Sequence, residues 1–229
     1  MRYLLLFVVN IFMSQIAVSQ IYEVGVFAGG SNFIGDVGAT NYISPNQAAI
    51  GGIFKWNRSP RHSFRASVIF SNLEGKDNKS DDPRRLERDY SFETSLLEIS
   101  LGMEFTFFDF NLHETGPKGT PYLYSGISLA NHDNYYFTQN GVYTSENTNS
   151  WAIGIPMVLG YKTSISTHFV LAAEIGARYT FSDELDGSVP DNEGRASLSF
   201  GNTNSNDWYV FSGITLTYTF GRMPCYCGF

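Results

Sequence analysis

The chain has 229 residues and a hydrophobic content of 43%, enough for one large β domain or two small ones. Its 22 acidic residues outnumber its 15 basic residues, and this balance argues against a surface that binds nucleic acid or another polyphosphate. The aromatic content of 16% and the glycines inside apolar runs are typical of short strands rather than helices.

Residues 1–19 have the pattern of an export signal. Arg2 gives a positive start, Leu4 to Met13 form an apolar stretch, and Ala17 and Ser19 place small residues before a cut at Gln20. The alternative is a membrane-anchoring helix, but the apolar stretch is well short of the roughly 20 residues that a span needs. We therefore predict a signal that is cleaved after residue 19 and a protein that leaves the cytoplasm.

Eight later stretches alternate apolar residues with polar or small ones, which is the period of two that strands show. They are Ile21–Ala28, Gln47–Asn57, His62–Leu73, Phe92–Phe108, Pro121–Ala130, Trp151–Thr163, His168–Phe181 and Asp207–Phe220. Most reach the roughly 9–11 residues with which a tilted strand crosses a bilayer. The first stretch is marginal.

The connections between these stretches alternate in length. Segments 29–46, 74–91, 131–150 and 182–206 are long and polar, 58–61 and 164–167 are tight, and 109–120 is intermediate. This alternation is typical of outer-membrane barrels, which have long outer loops and short periplasmic turns. We therefore predict an all-β fold over residues 20–220, an eight-stranded antiparallel transmembrane β-barrel of the OmpA-like type. It would lie in the outer membrane of a Gram-negative-type bacterium, surrounded by its lipid, with both termini in the periplasm.

The stretch "EISLGMEFTFFDF" shows which side chains fill such a barrel. Its odd positions from Ile99 to Phe107 are apolar, whereas Glu98 and Glu104 share the other face with small or polar residues. The same alternation in every stretch predicts a lumen charge network of eight residues: Glu23, Lys55, Arg65, Glu98, Glu104, Lys162, Glu174 and Arg178. Four acids balance four bases, and eight strands leave an interior just wide enough for side chains. We predict a barrel filled by ion pairs rather than a pore.

The alternative is a soluble protein in which some of these charges lie on a solvated face. The opposite face would then expose a very large apolar area, which is uncommon in a soluble monomer. The alternation therefore favours the barrel.

The sequence contains few motifs that would indicate a catalytic or metal-binding site. His62, His113, His132 and His168 are scattered, and no spacing typical of a zinc or calcium site occurs. No His–Ser pair stands out, although only geometry defines a hydrolase site, so an outer-membrane lipid hydrolase stays an alternative. We expect no catalytic residues, no cofactor, no metal and no small-molecule substrate.

Residues 221–229, "GRMPCYCGF", form a tail that contains the only cysteines, Cys225 and Cys227. An oxidising periplasm makes free thiols uncommon, and a ring between cysteines one residue apart is strained. Three possibilities stay open: a disulfide to another chain, a strained local disulfide, and a reduced tail. Both cysteines are candidates for contact with a partner.

Three features together resemble a known family. They are "YEVGVFAGGSNFIGDVG" at Tyr22–Gly38 directly after the signal, "AAEIGARYTFSDELDGSV" at Ala172–Val189, and a cysteine-bearing tail after the last strand. These features are similar to the PorG family, small outer-membrane barrel components of the type IX secretion system. The resemblance spans nearly the whole mature chain. The family usually has an aromatic residue and a second Asp where this chain reads "SDELDGSV".

The resemblance implies a structural role in protein secretion and gliding motility. Family members tie a periplasmic ring, formed by PorK and PorN, to the outer membrane, and no catalytic residues carry over. The ring-facing surface would be Arg58–Arg61, Asp109–Thr120, Ser164–Thr167 and the tail. A generic OmpA-like scaffold or adhesin that acts through its outer loops is the alternative function.

Overall fold

The computed structural model describes residues 21–111, 118–190, 193–202 and 206–221. The predicted signal, Cys225 and Cys227 lie outside these ranges. The strands are β1 (Ile21–Ile34), β2 (Gln47–Asn57), β3 (His62–Lys76), β4 (Ser91–Thr106), β5 (Gly119–Phe137), β6 (Tyr143–Ser164), β7 (Phe169–Thr180) and β8 (Trp208–Phe220). Each strand pairs antiparallel with its neighbours in the chain, and β1 also pairs with β8, so the sheet closes into a barrel. The predicted fold class is confirmed.

The two ends of the barrel differ. One end carries the connections 58–61, 107–118 and 165–168 together with the outer residues of β1 and β8, where Tyr22 pairs with Phe220. We call it the turn end. The opposite end carries the connections 35–46, 77–90, 138–142 and 181–207, and we call it the loop end.

The strands turn their apolar residues outward and their charges inward. On β4, Leu101 is 63% exposed whereas Glu104 is fully buried three residues later. The exposed residues form a belt around the barrel that includes Val24, Val26, Ile50, Phe54, Val68, Ile99, Leu101, Leu123, Ile127, Ile153, Leu159, Ile175, Ile214 and Leu216. A closed sheet with an apolar exterior matches the hydrocarbon of a bilayer.

Aromatic pairs lie towards the two ends of the strands. Near the turn end, the Trp56 and Phe64 rings are 5.4 Å apart and the Phe169 and Tyr218 rings are 5.4 Å apart. Near the loop end, Tyr179 lies 4.9 Å from Trp208. Aromatic residues are enriched where a membrane meets water.

Several strands continue beyond the ranges that the sequence suggested. Segment 131–150 was predicted as a loop, but β5 and β6 extend through most of it and leave only 138–142 as a turn. Strand β1 likewise runs to Ile34 rather than ending at Ala28. The apolar alternation stops where the side chains leave the belt, whereas the backbone pairing continues beyond it. The hydropathy pattern therefore predicts where the apolar belt ends, but it does not predict where the strands end.

Segment 77–90 contains a 3-10 turn (Asp77–Lys79) and one short helix, α1 (Pro83–Arg88). Asp82 caps α1 because its side chain accepts a hydrogen bond from the Arg84 backbone N–H. The helix ends at Asp89, whose φ of 53° is left-handed. No helix in the described ranges has the length and apolar character to cross a membrane.

The half of the interior nearer the loop end contains an apolar cluster, which the sequence did not predict. Phe92 and Leu96 on β4 point inward and pack with Phe33, Leu73 and other buried side chains. The loop residue Leu185 is fully buried in the same cluster, and the Tyr135 hydroxyl donates a hydrogen bond to its carbonyl. The polar face of β4 is therefore charged only along its turn-end half.

Candidate functional site

The eight residues predicted as a lumen network all lie inside the barrel. They come from β1, β2, β3, β4, β6 and β7, and each is buried, with at most 4% of its surface exposed. Buried charges are costly unless they are paired. Their partners therefore decide what the interior can do.

Arg65 and Glu174 form the best-aligned pair. Both terminal nitrogens of Arg65 donate to the two carboxylate oxygens of Glu174 at 2.7 Å, which is the bidentate geometry that favours Arg for this task. The Tyr122 hydroxyl donates to the same carboxylate. The Arg65 guanidinium also lies 4.8 Å from the centre of the Tyr124 ring.

Glu104 lies between two lysines. The Nζ of Lys55 is 2.7 Å from one of its oxygens, and the Nζ of Lys162 is 2.6 Å from the other. Arg65 is 4.0 Å from Glu104 and joins this group to the pair above. Phe110, from the 107–118 connection, is buried with its ring 4.8 Å from Lys162.

A second cluster lies further towards the loop end. The Nε of Arg178 is 3.1 Å from Glu98, and the Tyr209 hydroxyl donates to the same carboxylate at 2.6 Å. Arg178 also lies 4.5 Å from the centre of the Phe211 ring, where the charged zone meets the apolar one.

Glu23 differs from the other seven because its hydrogen-bond partners are uncharged. Asn57 and Thr217 each donate to its carboxylate at 2.7 Å. Among the described residues, no base forms an ion pair with it. The eight-residue network thus contains three carboxylates in ion pairs and one held by neutral donors.

Sequence reasoning missed the neutral partners of these charges. Tyr122, Tyr124 and Tyr209 are fully buried and line the same interior as the ions. The signal was present, because Tyr122 and Tyr124 occupy alternate positions of β5 on the face opposite Leu123. Asn57 and Thr217 give no such signal beyond their position on the inward face. Val210 shares the face of β8 that carries the outward Ile214 and Leu216, yet it is buried.

Most charged groups inside the barrel bind each other as ion pairs. At the turn end Phe110 is held over the interior by a hydrogen bond from its N–H to the Pro60 carbonyl. At the loop end Leu185 and Val37 fill the apolar zone. These side chains pack the space through which a solute would have to pass.

The exposed histidines support turn structure. Ser59 Oγ lies 3.2 Å from His62 Nδ1, and Thr167 Oγ1 lies 2.9 Å from His168 Nδ1, each within a few residues of chain. Ser59 Oγ also accepts hydrogen bonds from the backbone N–H groups of Arg61 and His62. Both contacts lie within the short connections of the turn end and help to close them. His113 lies outside the described residues.

A closed eight-stranded sheet, an apolar exterior and a packed, ion-paired interior define a transmembrane β-barrel of the outer-membrane type. The chain belongs to the family described as a domain of unknown function, DUF6089, which it matches over residues 2–229.

Several solved outer-membrane proteins are similar to this chain. Ail, the attachment invasion locus protein of Yersinia pestis, is 8% identical with a TM-score of 0.48, covering 88% of this chain and 99% of its own. A major outer membrane protein from Thermus thermophilus is 12% identical with a TM-score of 0.48 and the same coverage. The N-terminal β-barrel domain of Pseudomonas aeruginosa OprF is 13% identical with a TM-score of 0.44, covering 86% and 97%. None of the curated proteins compared with this chain matches it.

Proposed function

We propose that the protein is a non-enzymatic structural component of a type IX secretion and gliding machinery, as the resemblance to the PorG family implies. It would anchor a periplasmic ring to the outer membrane. The observation that carries the proposal is the packed interior, in which Glu104, Glu174 and Glu98 are each bound by lysine or arginine. A barrel without room for transport acts through its ends.

The two segments that carry the resemblance lie against each other. The backbone N–H groups of Asp36 and Val37, from the first segment, donate to the Asp186 carboxylate in the second at 2.8 and 3.2 Å. Features distant in the chain thus form one local structure at the loop end. This contact supports treating the two segments as one feature of the family rather than as two unrelated resemblances.

The turn end is the surface that we assign to the periplasm and to the ring. Both ends of the barrel domain leave from it, and two of its three connections, 58–61 and 165–168, are only four residues long, as in outer-membrane barrels. Arg61 and Asp109 form an exposed ion pair between two of its turns. The tail with Cys225 and Cys227 follows Phe220 in the sequence, and we propose that it contacts ring proteins of the PorK and PorN type.

Deletion and co-purification test this function. Deletion should abolish type IX secretion and assembly of the ring, and an affinity tag on the restored protein should recover a large periplasmic ring. A variant with altered turns at 58–61 and 165–168 should fold but lose the ring, whereas a variant altered at 138–142 on the loop end should keep it. Intact secretion and an intact ring after deletion would contradict the proposal.

A generic OmpA-like scaffold or adhesin is the second candidate, and one feature of the loop end favours it. The β5–β6 hairpin extends well past the apolar belt, and Tyr42, Ile43 and Val142 expose apolar surface on connections of the loop end. Exchange of segments 35–46 and 138–142 for unrelated loops should abolish attachment in that case. Secretion should then be unaffected.

A further inference from the structure

A cleft of about 450 Å³ opens on the outer surface of the barrel, and it crosses strands β2 to β5. Its volume lies in the range of sites that bind small ligands. Six of the side chains that line it lie on the outward face of their strands: Ala48, Phe70, Asn72, Ser95, Leu97 and Asn131. The cleft therefore opens towards the surroundings of the barrel rather than towards its interior.

The cleft lies at the boundary between the apolar belt and the polar segments of the strands nearer the loop end. Phe70 pairs with Leu97 across β3 and β4, and both side chains continue the belt. Two positions closer to the loop end, Asn72 pairs with Ser95 on the same outward face. Asn131, which pairs with Leu97, adds an amide to the lining. A molecule in the cleft thus contacts apolar side chains at one end and polar side chains at the other.

This position decides what kind of molecule can fill the cleft. Along β3, Val68 and Phe70 are 37% and 56% exposed in the belt, and Asn72 follows where the belt ends. In a bilayer, the point at which an outward face changes from apolar to polar lies at the level of the lipid headgroups. The occupant is therefore a lipid of the leaflet at the loop end, with an acyl chain against Phe70 and Leu97.

The polar side chains of the cleft turn their donors towards neighbours in the barrel wall. The Asn72 amide donates to Glu93 at 2.8 Å, and the Ser95 hydroxyl donates to Asp133 at 2.6 Å. The Asn131 amide donates to a backbone carbonyl of β6 at 3.2 Å. Carboxylate and carbonyl oxygens only accept, so each amide must turn its NH₂ group to that neighbour and its oxygen away. Along the described chain no hydrogen bond reaches the Oδ1 of Asn72 or Asn131, so both oxygens are available to a ligand.

Two carboxylates border the cleft without a basic partner. Glu74, the cross-strand neighbour of Glu93, pairs with Lys76 at 2.9 Å. By contrast, no lysine, arginine or histidine in the described ranges forms an ion pair with Glu93 or Asp133. Besides Ser95, the second donor to the Asp133 carboxylate is a neutral amide of β6 at 3.0 Å. The edge of the cleft is therefore negatively charged, which repels an anionic headgroup and attracts a cationic one.

We propose that the cleft binds a lipid whose headgroup carries a primary ammonium group. Such a group has three N–H donors and a positive charge, so it suits the amide oxygens of Asn72 and Asn131 and the carboxylates of Glu93 and Asp133. An anionic headgroup without an amine is disfavoured because it brings a further negative charge to the acidic edge. A quaternary ammonium group has the charge but no N–H to donate.

The lipid site does not depend on the secretion role. It lies on the outer wall near the loop end, whereas the ring is assigned to the turn end. Either proposal can therefore fail alone, because a lipid preference is measured on the isolated protein and ring assembly is measured in cells.

Native mass spectrometry of the refolded full-length mature protein tests the headgroup. The probes are four lipids with identical acyl chains: phosphatidylethanolamine, phosphatidylcholine, phosphatidylglycerol and a glycosyl diacylglycerol. We expect phosphatidylethanolamine to bind roughly fivefold more tightly than each of the others, the effect of one charge-assisted hydrogen bond. Equal binding of all four lipids would indicate a non-selective lipid shell and would overturn the proposal. Tighter binding of phosphatidylglycerol or of the glycolipid would contradict it as well.

Two pairs of variants locate the site. Ser95→Phe fills the cleft and should lower the binding of phosphatidylethanolamine to the level of the other lipids. Ser125→Phe makes the same change at an exposed position of the belt on β5, outside the cleft, and should keep the preference. Glu93→Gln keeps the shape but removes a charge, so it should weaken the preference. Glu87→Gln, at an exposed acid on α1, should leave it unchanged.

Circular dichroism shows whether each variant forms the barrel. A preference that survives in folded Ser95→Phe places the lipid elsewhere, and the proposal is then wrong. If Ser95→Phe does not fold, Glu93→Gln decides the question, because Glu93 is exposed and its replacement leaves the barrel packing unchanged. An undiminished preference in Glu93→Gln would then rule out recognition of the ammonium group by this edge.

Discussion

Arg65 and Glu174 meet across the barrel interior through two hydrogen bonds of 2.7 Å, although 109 positions separate them in the chain. The pair joins β3 to β7, which are not neighbours in the sheet. It therefore holds opposite walls of the barrel together, and its loss should lower the stability of the whole barrel.

Glu174→Ala should destabilise the barrel by about 3–5 kcal/mol, because it leaves a buried guanidinium without its counter-charge. Urea unfolding of the protein in lipid vesicles measures the change. Asp109→Ala removes the partner of Arg61 in an exposed pair and should cost less than about 1 kcal/mol. The double variant Arg65→Met with Glu174→Met should recover most of the stability. Equal losses in the buried and exposed variants would contradict the assigned role.

Leu101→Arg should destabilise the protein by about 2–4 kcal/mol in a bilayer, since Leu101 lies midway along the belt on β4. Ile43→Arg is the matched control, because Ile43 is similarly exposed but lies in the 35–46 connection. Its effect should stay within about 0.5 kcal/mol. A mature protein that is monodisperse in buffer without detergent would contradict the membrane assignment altogether.

The refolded protein should give negligible current in planar bilayers. The reason is that Lys55, Glu104 and Lys162 bind each other across the space that ions would use. A porin inserted into the same bilayer serves as the positive control. A stable current from the wild type would show that the interior is not packed as described.

The 181–190 segment should become less stable as the pH rises. Burial, reinforced by the neighbouring carboxylates, raises the pKa of Asp183 to about 7 on folding, so between about pH 4 and pH 7 the folded state holds more protons than the unfolded chain. Stability from this group is thus present at low pH and is lost as the pH passes 7. Hydrogen exchange, corrected for its intrinsic pH dependence, should show weaker protection at pH 8 than at pH 5. Asp183→Asn should remove the difference, while amides in β2 should show none in either protein.

A disulfide to a partner should appear on a non-reducing gel of whole cells as a slower band. The band should disappear in Cys225→Ser or Cys227→Ser and on addition of reductant. If neither substitution changes the band pattern, the tail does not form a covalent link to a partner.

The sequence predicted the barrel well because one rule, the alternation of side chains, applies at every strand. Glu98 and Glu104 are six residues apart, and this even spacing alone assigns both to one face. Lipid outside makes the rule strict, because a charge facing outward along the belt is strongly disfavoured.

The same rule fails where lipid no longer constrains the side chains. Segments 131–137 and 143–150 continue as paired strands that carry mostly polar residues on their outer face, so their alternation is not visible in a hydropathy pattern. The sequence also does not predict which hydrogen-bond partner each buried glutamate has. No pattern distinguishes Glu23, which is bound by Asn57 and Thr217, from the ion-paired glutamates. The contacts of Asp207 with Ser182 and Leu185 depend on a connection without any repeat.

The seam between β1 and β8 sets the order of assembly. Thirteen residue pairs join these two strands, from Tyr22–Phe220 to Ile34–Trp208, and they involve the last residues of the domain to be synthesised. Until β8 arrives, β1 has an unsatisfied edge, which hydrocarbon does not tolerate. No stretch of the chain can therefore settle in a bilayer by itself, and all eight strands have to close into the barrel together.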